Sequence, residues 1–361
     1  LRIFNDMYKF PFETEITAAM KRLVIDELPV VGFVTGHGER SCYDGSDRGY
    51  KIFAQEITFR YSLINQGFDF SNVSLEEEVP AEVKMLVIAE PREAFNEAEM
   101  RNLDKYIERG DNLMILGEPG RQEFVNPITE KFGVTLMPGV VVKPGRIIEP
   151  ETKVVHSSGV NKVDTIPAVT IAPELMTVSP LDTAWSYHLK EMQRREYVLA
   201  SPTFSGLQCD TAGEYKVAPL FRADSCWAEV ETTNFVDDMV TLNSEAGEQL
   251  DSLVLVAALS RDVNGKEQRI IITGDADWIS NKELGTSRNR IRASNYSLIN
   301  ASFFWLSHEE VPIDVRRPPT TDRDILLGKS GWAISKPVIN WVYPIVLLVI
   351  GLLIWIRRRG R

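Results

Sequence analysis

The stretch VKMLVIAEPREAFNEAEMRNLDKYIERGDNLMILGEPG, residues 83–120, decides the fold class of this chain. It begins and ends with an almost continuous apolar run, and a helical pattern separates the two runs. Asn96 precedes the helical pattern with Glu99 three places on, which is a capping-box arrangement, and Gly110 closes it. A strand, a helix and a second strand without polar alternation predict a parallel sheet with helices on both faces. The apolar positions at helical spacing are Met100, Leu103 and Ile107.

Upstream, the apolar run at residues 30–34 predicts the first strand of the same sheet. Residues 12–28 have the pattern of a helix, and residues 50–67 have the pattern of one longer helix that ends at Gly67. The apolar face of the first helix comprises Ile16, Met20, Leu23 and Leu28. The apolar face of the second comprises Phe53, Ile57, Tyr61 and Ile64.

Downstream, residues 121–250 contain short β-like pieces between turns that carry proline and glycine, which predicts a β-rich insertion in the α/β core. Two apolar strands then flank Asn264-Gly265, a strong hairpin signal. A helix is predicted over residues 295–307. We therefore predict an N-terminal helical segment at 1–28, an α/β domain at 29–310 that contains the insertion, a linker at 311–336, a transmembrane helix at 337–356 and a cytoplasmic tail at 357–361.

The transmembrane prediction depends on the uncharged run VINWVYPIVLLVIGLLIWI at residues 338–356. About nineteen residues at about 1.5 Å each span roughly 28 Å, close to the thickness of a bilayer core. The sequence RRRGR follows directly, and arginines beside a span favour the cytoplasmic side. We therefore expect a single C-terminal span in the cytoplasmic (inner) membrane with the large domain outside.

The charge of the chain restricts its partners. The formal net charge is −11, and the four arginines of the last five residues contribute +4, so the remainder carries −15. Such an acidic body offers no basic stripe for phosphates, which excludes nucleic-acid binding as a main function.

The cysteines leave their bonding open and do not form a metal-binding motif. Cys209 and Cys226 are either a disulfide in an extracytoplasmic setting or two unpaired thiols. The chain has no CxxC or cysteine–histidine cluster, so we expect neither zinc nor any other metal or cofactor.

Several polar residues follow the predicted parallel strands and form the candidate site. Open α/β sheets bind small molecules in the crevice beyond the carboxyl ends of their strands. His37 has two interpretations: a loop histidine that holds a tight glycine turn, or a ligand contact in that crevice. The residues that we expect to face the crevice are Thr35, His37, Glu39 and Glu118.

Two other motifs do not support a site. Asp275 and Asp277 in GDADW are too few for a magnesium or calcium site, and Asp275 is expected to shape a turn. The run LLGKSG at residues 326–331 resembles the end of a phosphate-binding loop, but Arg323 stands where that motif needs glycine. The chain therefore has no recognisable ATPase motif of its own.

Taken in order, several segments resemble the gliding-motility GldG-like family, the extracytoplasmic auxiliary components of ABC-type transport systems. The segments are VGFVTGHGE, VPAEVKMLVIAEP, NEAEMRNLDKYIERGDNLMILGEPG, RIIITGDADWIS, NYSLINASFFWLS and the C-terminal span, within residues 14–356. The resemblance implies a class I glutamine amidotransferase-like (flavodoxin-like) core, membrane anchoring, and partnership with a permease and a cytoplasmic ATPase.

An amidotransferase needs a cysteine on the turn after the third strand, activated by a histidine. Here that turn is LGEPG, residues 116–120, without cysteine, serine or threonine. Cys42 lies five residues after His37, but local spacing is weak evidence for a nucleophile and base, because the fold sets such pairs. We therefore expect a non-catalytic auxiliary subunit of an ABC-type transport system. The alternative is a small-ligand binding protein, for example for a saccharide, that uses the crevice near His37.

Overall fold

The computed structural model describes most of the chain, apart from its first residues and several internal segments. The described residues are 13–24, 28–59, 61–143, 152–157, 160–165, 176–178, 180–181, 187–233, 240–286, 291–309, 333 and 335–359. By internal contacts the chain divides into two compact units, Leu1–Asp314 and Val315–Arg361. Nearly all of the predicted linker, including residues 326–331, lies outside the described residues.

Strands and helices are interspersed in the first unit up to about residue 130, and most of the elements after it are strands. The strands are β1 Val30–Val34, β2 Asp69–Val73, β3 Val83–Ala89, β4 Asn112–Leu116, β5 Val134–Leu136, β6 Val140–Val142, β7 Thr152–Ser157, β8 Val160–Thr165, β9 Met176–Val178, β10 Leu199–Ser201, β11 Leu207–Cys209, β12 Lys216–Glu229, β13 Asp251–Val263 and β14 Lys266–Thr273. The helices are α1 Glu13–Val24, α2 Lys51–Gln55, α3 Leu63–Gln66, α4 Glu97–Glu108, α5 Gln122–Thr129, α6 Tyr187–Arg194, α7 Asn281–Gly285 and α8 Asn295–Leu306.

Within the described residues, one mixed sheet of ten strands organises this unit. Its main path is β2-β1-β3-β4-β14-β13-β11-β5; β12 joins it through β13, and β6 pairs with β12. The first five strands are mutually parallel, and β13 adds to them antiparallel to β14. The order of the parallel strands is that of flavodoxin-like sheets. The predicted α/β class is confirmed, but the sheet is mixed and only its first five strands are parallel; the amidotransferase-like (flavodoxin-like) details stay a prediction.

Each face of the sheet carries its own apolar core, as expected for strands without polar alternation. Val87 belongs to the core on one face and its neighbour Ile88 to the core on the other. Helices α2, α3 and α8 contribute to the first core, and α4 and α5 contribute to the second. The capping box at Asn96 is present, and its side chain accepts hydrogen bonds from the backbone of Ala98 and Glu99.

The segment that we predicted as a β-rich insertion contributes four strands to this same sheet: β5, β6, β11 and β12. The predicted hairpin is confirmed, because Val263 pairs with Lys266 across Asn264 and Gly265. Both turn residues have positive φ, 55° and 81°, and an Asn-Gly pair tolerates this conformation best. The hairpin places β14 between β13 and β4, where it is the fifth strand of the parallel part of the sheet.

Two sequence predictions about helices were wrong in detail. The expected apolar face of α1 is exposed among the described residues: Ile16, Met20 and Leu23 are 42%, 62% and 69% accessible. Apolar residues with a 3.6-residue period show that a helix is amphipathic, but they do not show which surface, if any, covers its apolar face.

The helix expected over residues 50–67 is two short helices, α2 and α3. The Glu56 carboxylate accepts hydrogen bonds from the N–H and hydroxyl of Thr58, which favours a turn over a continuing helix. Ile57 is consequently 52% exposed. Gly67 ends α3 with a φ of 108°, as the sequence predicted.

The second unit, described by itself, is a long apolar helix. Ser335–Arg359 is the one helix among the described residues that is long and apolar enough to cross a membrane, with a mean hydropathy of 2.3. It includes a π-helical turn, Val338–Val342, followed by α9, Tyr343–Arg359. Pro344 lacks the N–H that a regular α-helix would use at this point, which fits the local π geometry. The helix is therefore a candidate membrane anchor.

Candidate functional site

Four parallel strands end at one edge of the sheet, and a polar loop follows each of them. The loops are joined by backbone hydrogen bonds, including Arg40 N–H to Ala89 O at 3.0 Å and Gly117 N–H to Thr273 O at 2.8 Å. Gly117 allows this close approach, since a Cβ there would stand 2.3 Å from the Leu136 side chain. The charged residues of the loops are thereby brought into one cluster, which we call the Arg40 network.

The Arg40 guanidinium is the centre of this network. Its Nε donates to Glu90 Oε2 at 2.5 Å, Nη1 lies 2.7 Å from Asp277 Oδ1, and Nη2 donates to Glu118 Oε2 at 3.1 Å. Its side chain is only 3% exposed. Burial opposes the positive charge, but the surrounding groups, including these three carboxylates, outweigh it and raise the pKa of Arg40. Each carboxylate follows a different strand, so Arg40 ties β1 to β3, β4 and β14.

Glu90 is the most densely paired carboxylate of the network. It is 1% exposed and adopts a φ of 51°, a conformation that non-glycine residues rarely hold. Besides Arg40, it contacts Arg48 at 2.6 Å and Arg92 at 3.2 Å, and Arg121 lies 4.0 Å away. Burial works against its ionisation, yet the arginines prevail and lower the pKa of Glu90.

Asp275, Asp277 and Glu118 form an acidic group beside Arg40, with carboxylate oxygens within 4.8 Å of one another. Burial, together with the neighbouring charges of Asp275 and Asp277, raises the pKa of Glu118 to about 9. Burial and the charge of Asp277 raise the pKa of Asp275 to about 7. Glu118 therefore keeps its proton to a higher pH than an exposed glutamate does.

The oxygens of this acidic group are already hydrogen-bonded, which argues against a divalent cation. Asp275 accepts hydrogen bonds from the hydroxyls of Ser201 and Thr203, both at 2.6 Å. The Arg40 guanidinium contacts the carboxyl groups of Glu118 and Asp277. Asp275 also accepts the N–H of Asp277 at 2.7 Å, which shapes the turn after β14. Magnesium or calcium would have to displace the guanidinium to reach these oxygens.

His37 lies in a second cluster at the same edge, which we call the His37 loop. Its Nε2 is 3.2 Å from Glu99 Oε2, and its ring packs edge-on against Phe95 at 4.6 Å between centroids. Its N–H donates to Glu39 Oε2 at 2.7 Å, and its carbonyl accepts the N–H of Arg92. These contacts fit the interpretation of His37 as a residue that holds a tight loop.

The four residues that the sequence indicated fall into different surroundings. Glu118 belongs to the Arg40 network, whereas His37 and Glu39 belong to the His37 loop. Thr35 is half-buried, and its N–H donates to Val73 O at 3.0 Å. Sequence analysis missed Arg40 and Glu90. A signal was present for Glu90, which directly follows an apolar parallel strand, but Arg40 stands six residues beyond β1.

The thiol nearest this edge does not fit a nucleophile. Cys42 is fully buried, and burial raises the pKa of its thiol to about 12, so the thiolate is scarce at neutral pH. All three cysteines are free, which settles the alternatives for Cys209 and Cys226 in favour of unpaired thiols.

A family model described as "ABC-type uncharacterized transport system" matches residues 28–182 of this chain. The match begins before β1 and includes β3, β4 and the turn that carries Glu118. It indicates an auxiliary component of an ABC-type transport system. The matched residues are fewer than half of the chain, and the match does not distinguish the GldG-like branch.

Curated relatives match over shorter segments. The mouse intraflagellar transport protein 52 homolog is 37% identical over 106 residues, which are 27% of this chain and 23% of that protein. The human homolog is 32% identical over 127 residues, which are 32% of this chain and 27% of that protein. The matched part thus spans about a quarter of the length of these relatives.

Similar solved structures include the N-terminal domain of mmIFT52, with a TM-score of 0.46 and 16% identity, covering 77% of this chain and 97% of that one. An exo-beta-1,4-mannosidase from an Opitutaceae bacterium has a TM-score of 0.35 and 10% identity, over 79% of this chain and 37% of that one. A ThuA-like protein from Parabacteroides merdae has a TM-score of 0.33 and 8% identity, over 82% and 94%. These scores are too low to establish a shared overall fold.

Proposed function

We propose that this chain is a non-catalytic, membrane-anchored auxiliary subunit of an ABC-type transport system, of the GldG-like type associated with gliding motility. The observation that carries the proposal is the family match over residues 28–182. That segment supplies Arg40, Glu90 and Glu118, so the strand-end network is part of what is matched.

The non-catalytic part of the proposal is supported by the turn after β4. In an amidotransferase-like fold this turn would carry the nucleophile, but here it carries Glu118, whose Oε2 accepts a hydrogen bond from Arg40. His37 contacts Glu99 and Glu39, and Cys42 is buried with a pKa of about 12. The hydroxyls of Ser201 and Thr203 donate to the Asp275 carboxylate, but among the described residues neither hydroxyl is paired with a histidine, as in a Ser–His nucleophile.

The anchoring part is supported by the helix Ser335–Arg359, whose apolar surface is exposed throughout. Three arginines end this helix, and positive charge beside a span favours the cytoplasm. The acidic domain then lies outside the inner membrane, on the periplasmic side of a bacterial cell envelope. A protease added to intact spheroplasts is expected to cut the domain, and full protection would contradict this orientation.

The partnership part follows from the lack of an energy source and a transport path in one span. A permease must supply the path, and a cytoplasmic ATPase must supply the energy. Gly351 is the only glycine of the span, with Leu347 and Trp355 four residues to either side, so the span has no small-residue packing motif. We therefore infer that the outer domain provides most of the contact with the permease.

A pull-down from detergent with two altered chains tests this partnership. One chain replaces residues 338–356 with an unrelated apolar span, and the other keeps the native span but lacks the outer domain. We expect the first to retain the permease and its ATPase and the second to lose them. Retention by the second chain alone would place recognition in the membrane, and capture by neither would overturn the transport role.

A further inference from the structure

Three arginines of the strand-end edge surround a single oxygen atom. Glu90 Oε1 lies 2.6 Å from Arg48 Nη2, 3.2 Å from Arg92 Nη2 and 4.0 Å from Arg121 Nε. All three distances are measured from Glu90 Oε1. Any two of these nitrogens are therefore no farther apart than the sum of their distances from that oxygen. The arginines come from three separate loops, so the fold itself brings them together. We call them the arginine rim.

The rim is more exposed than the acids that hold it. The side chains of Arg48, Arg92 and Arg121 are 49%, 42% and 38% exposed, whereas Glu90 is 1% exposed. Each guanidinium has five N–H donors, and one carboxylate offers about four lone-pair sites, some of which Arg40 already uses. Most donors of the rim therefore point to solvent or to a bound molecule.

The ion pairs of this edge leave the arginines in excess of the carboxylates. Four arginines, Arg40 and the three of the rim, share Glu90, Glu118 and Asp277, and Glu118 lies 3.7 Å from Arg48. Asp277 is paired with Arg40 at 2.7 Å. Among the described residues, Arg92 and Arg121 pair only with Glu90. Like charges held this close in an acidic protein are costly unless an anion is present.

Arg121 also links the rim to a helix terminus. It is the N-cap residue of α5 and follows Gly120, which has a φ of 80°. α5 therefore begins at a residue of the rim, and the N-terminus of a helix carries a positive partial charge. A planar guanidinium fork matches the two oxygens of a carboxylate or phosphate.

We propose that the arginine rim of Arg48, Arg92 and Arg121 is a binding site for the carboxylate or phosphate group of a small molecule. Glu90 positions the three guanidinium groups, and Arg40 anchors Glu90 in turn. The ligand group lies on the solvent side of Glu90 and receives hydrogen bonds from the rim. The site is independent of any role in transport, because it depends only on contacts within this domain.

Isothermal titration calorimetry of the detergent-solubilised full chain tests the site with two probes, inorganic phosphate and citrate, at constant ionic strength set with chloride. We expect saturable binding of at least one probe and a raised melting temperature in its presence. The double variant Arg92→Gln/Arg121→Gln should bind at least tenfold more weakly. Arg101→Gln is the matched control, since Arg101 is an exposed arginine on α4 that pairs only with Glu97 among the described residues.

Three results would overturn the proposal. The first is the absence of saturable binding of either probe to the unaltered chain. The second is equal affinity in the double variant and the Arg101 control. The third is binding to vesicles of phosphatidylglycerol without binding to phosphate or citrate, which would assign the rim to a lipid surface. The melting temperature of each variant without ligand verifies that it is folded.

Discussion

The Arg40 network and the His37 loop lie at the same edge of the sheet but are built in opposite ways. Arg40 is almost fully buried and bonded to carboxylates from three other strand ends. His37 is partly exposed, and its polar partners come from its own loop and from the start of α4. Removing a buried charge that several carboxylates share costs far more than removing a side chain with few contacts. The two clusters should therefore respond very differently to mutation.

The largest difference is expected from removing the central guanidinium. Arg40→Met leaves Glu90, Asp277 and Glu118 facing one another without their shared cation. Breaking a buried pair in this way costs roughly 3–5 kcal/mol, so the free energy of unfolding in urea should fall by that amount. Arg101→Met, at an exposed position, is the control and should change it by no more than about 0.5 kcal/mol. Equal effects of the two variants would contradict a structural role of Arg40.

A pH-dependent effect is expected from Glu118, the acid of the network with the raised pKa. The folded pKa of Glu118 is about 9, above the ordinary value of the unfolded chain, so the folded state binds more protons between the two. This contribution to stability is fully present below the unfolded pKa and is lost as pH rises through the folded pKa. The glutamine in Glu118→Gln cannot ionise, so the free energy of unfolding of this variant should not show this part of the fall with rising pH.

Urea unfolding at pH values from about 5 to about 9 measures the difference. The free energies of unfolding of Glu118→Gln and of the unaltered chain should diverge as pH rises, by no more than about 1.4 kcal/mol per pH unit. Asp275 keeps its own decline in both proteins, so a residual slope is expected in the variant. Parallel curves would show that Glu118 is ionised in the folded protein.

The smallest effect is expected in the His37 loop. His37→Ala removes the contact with Glu99 and the edge-on packing against Phe95 but leaves the backbone bonds of the loop. We expect a loss of about 1 kcal/mol or less in the free energy of unfolding. His37→Gln, which keeps a polar side chain, should cost less still. A loss as large as that of Arg40→Met would remove the distinction between the two clusters.

The sequence predicted that polar residues gather at this edge of the sheet, but it did not predict that Arg40 lies at the centre of them. Glu118 was predicted because it stands on the turn after an apolar strand, and parallel strands place such residues at one edge. Arg40 could not be predicted, because its position depends on the path of a six-residue loop after β1 and on Ala89, to which its N–H donates. Its role also depends on partners distant in sequence, such as Asp277.

Local patterns predicted the capped helix and the hairpin, and the two errors about helices have different causes. The capping box at Asn96 and the hairpin at Asn264 are set by residues close in sequence, and both are present. The apolar face of α1 at Met20 is exposed, because burial requires a covering surface that periodicity cannot supply. The split after Gln55 arose from a side-chain bond between Glu56 and Thr58, which the apolar spacing does not reveal.

The position of β14 in the sheet has a consequence for how the chain folds. It pairs antiparallel with the adjacent β13 but also parallel with β4, where the bonded residues Asn112 and Arg269 are 157 residues apart in sequence. The hairpin is a fast local event, whereas docking it beside β4 closes a long loop and is slow. During synthesis, β4 therefore leaves the ribosome as an open strand edge long before its neighbour exists. Open apolar edges of this kind promote aggregation, so the interval before β14 emerges is the vulnerable step in the biogenesis of this domain.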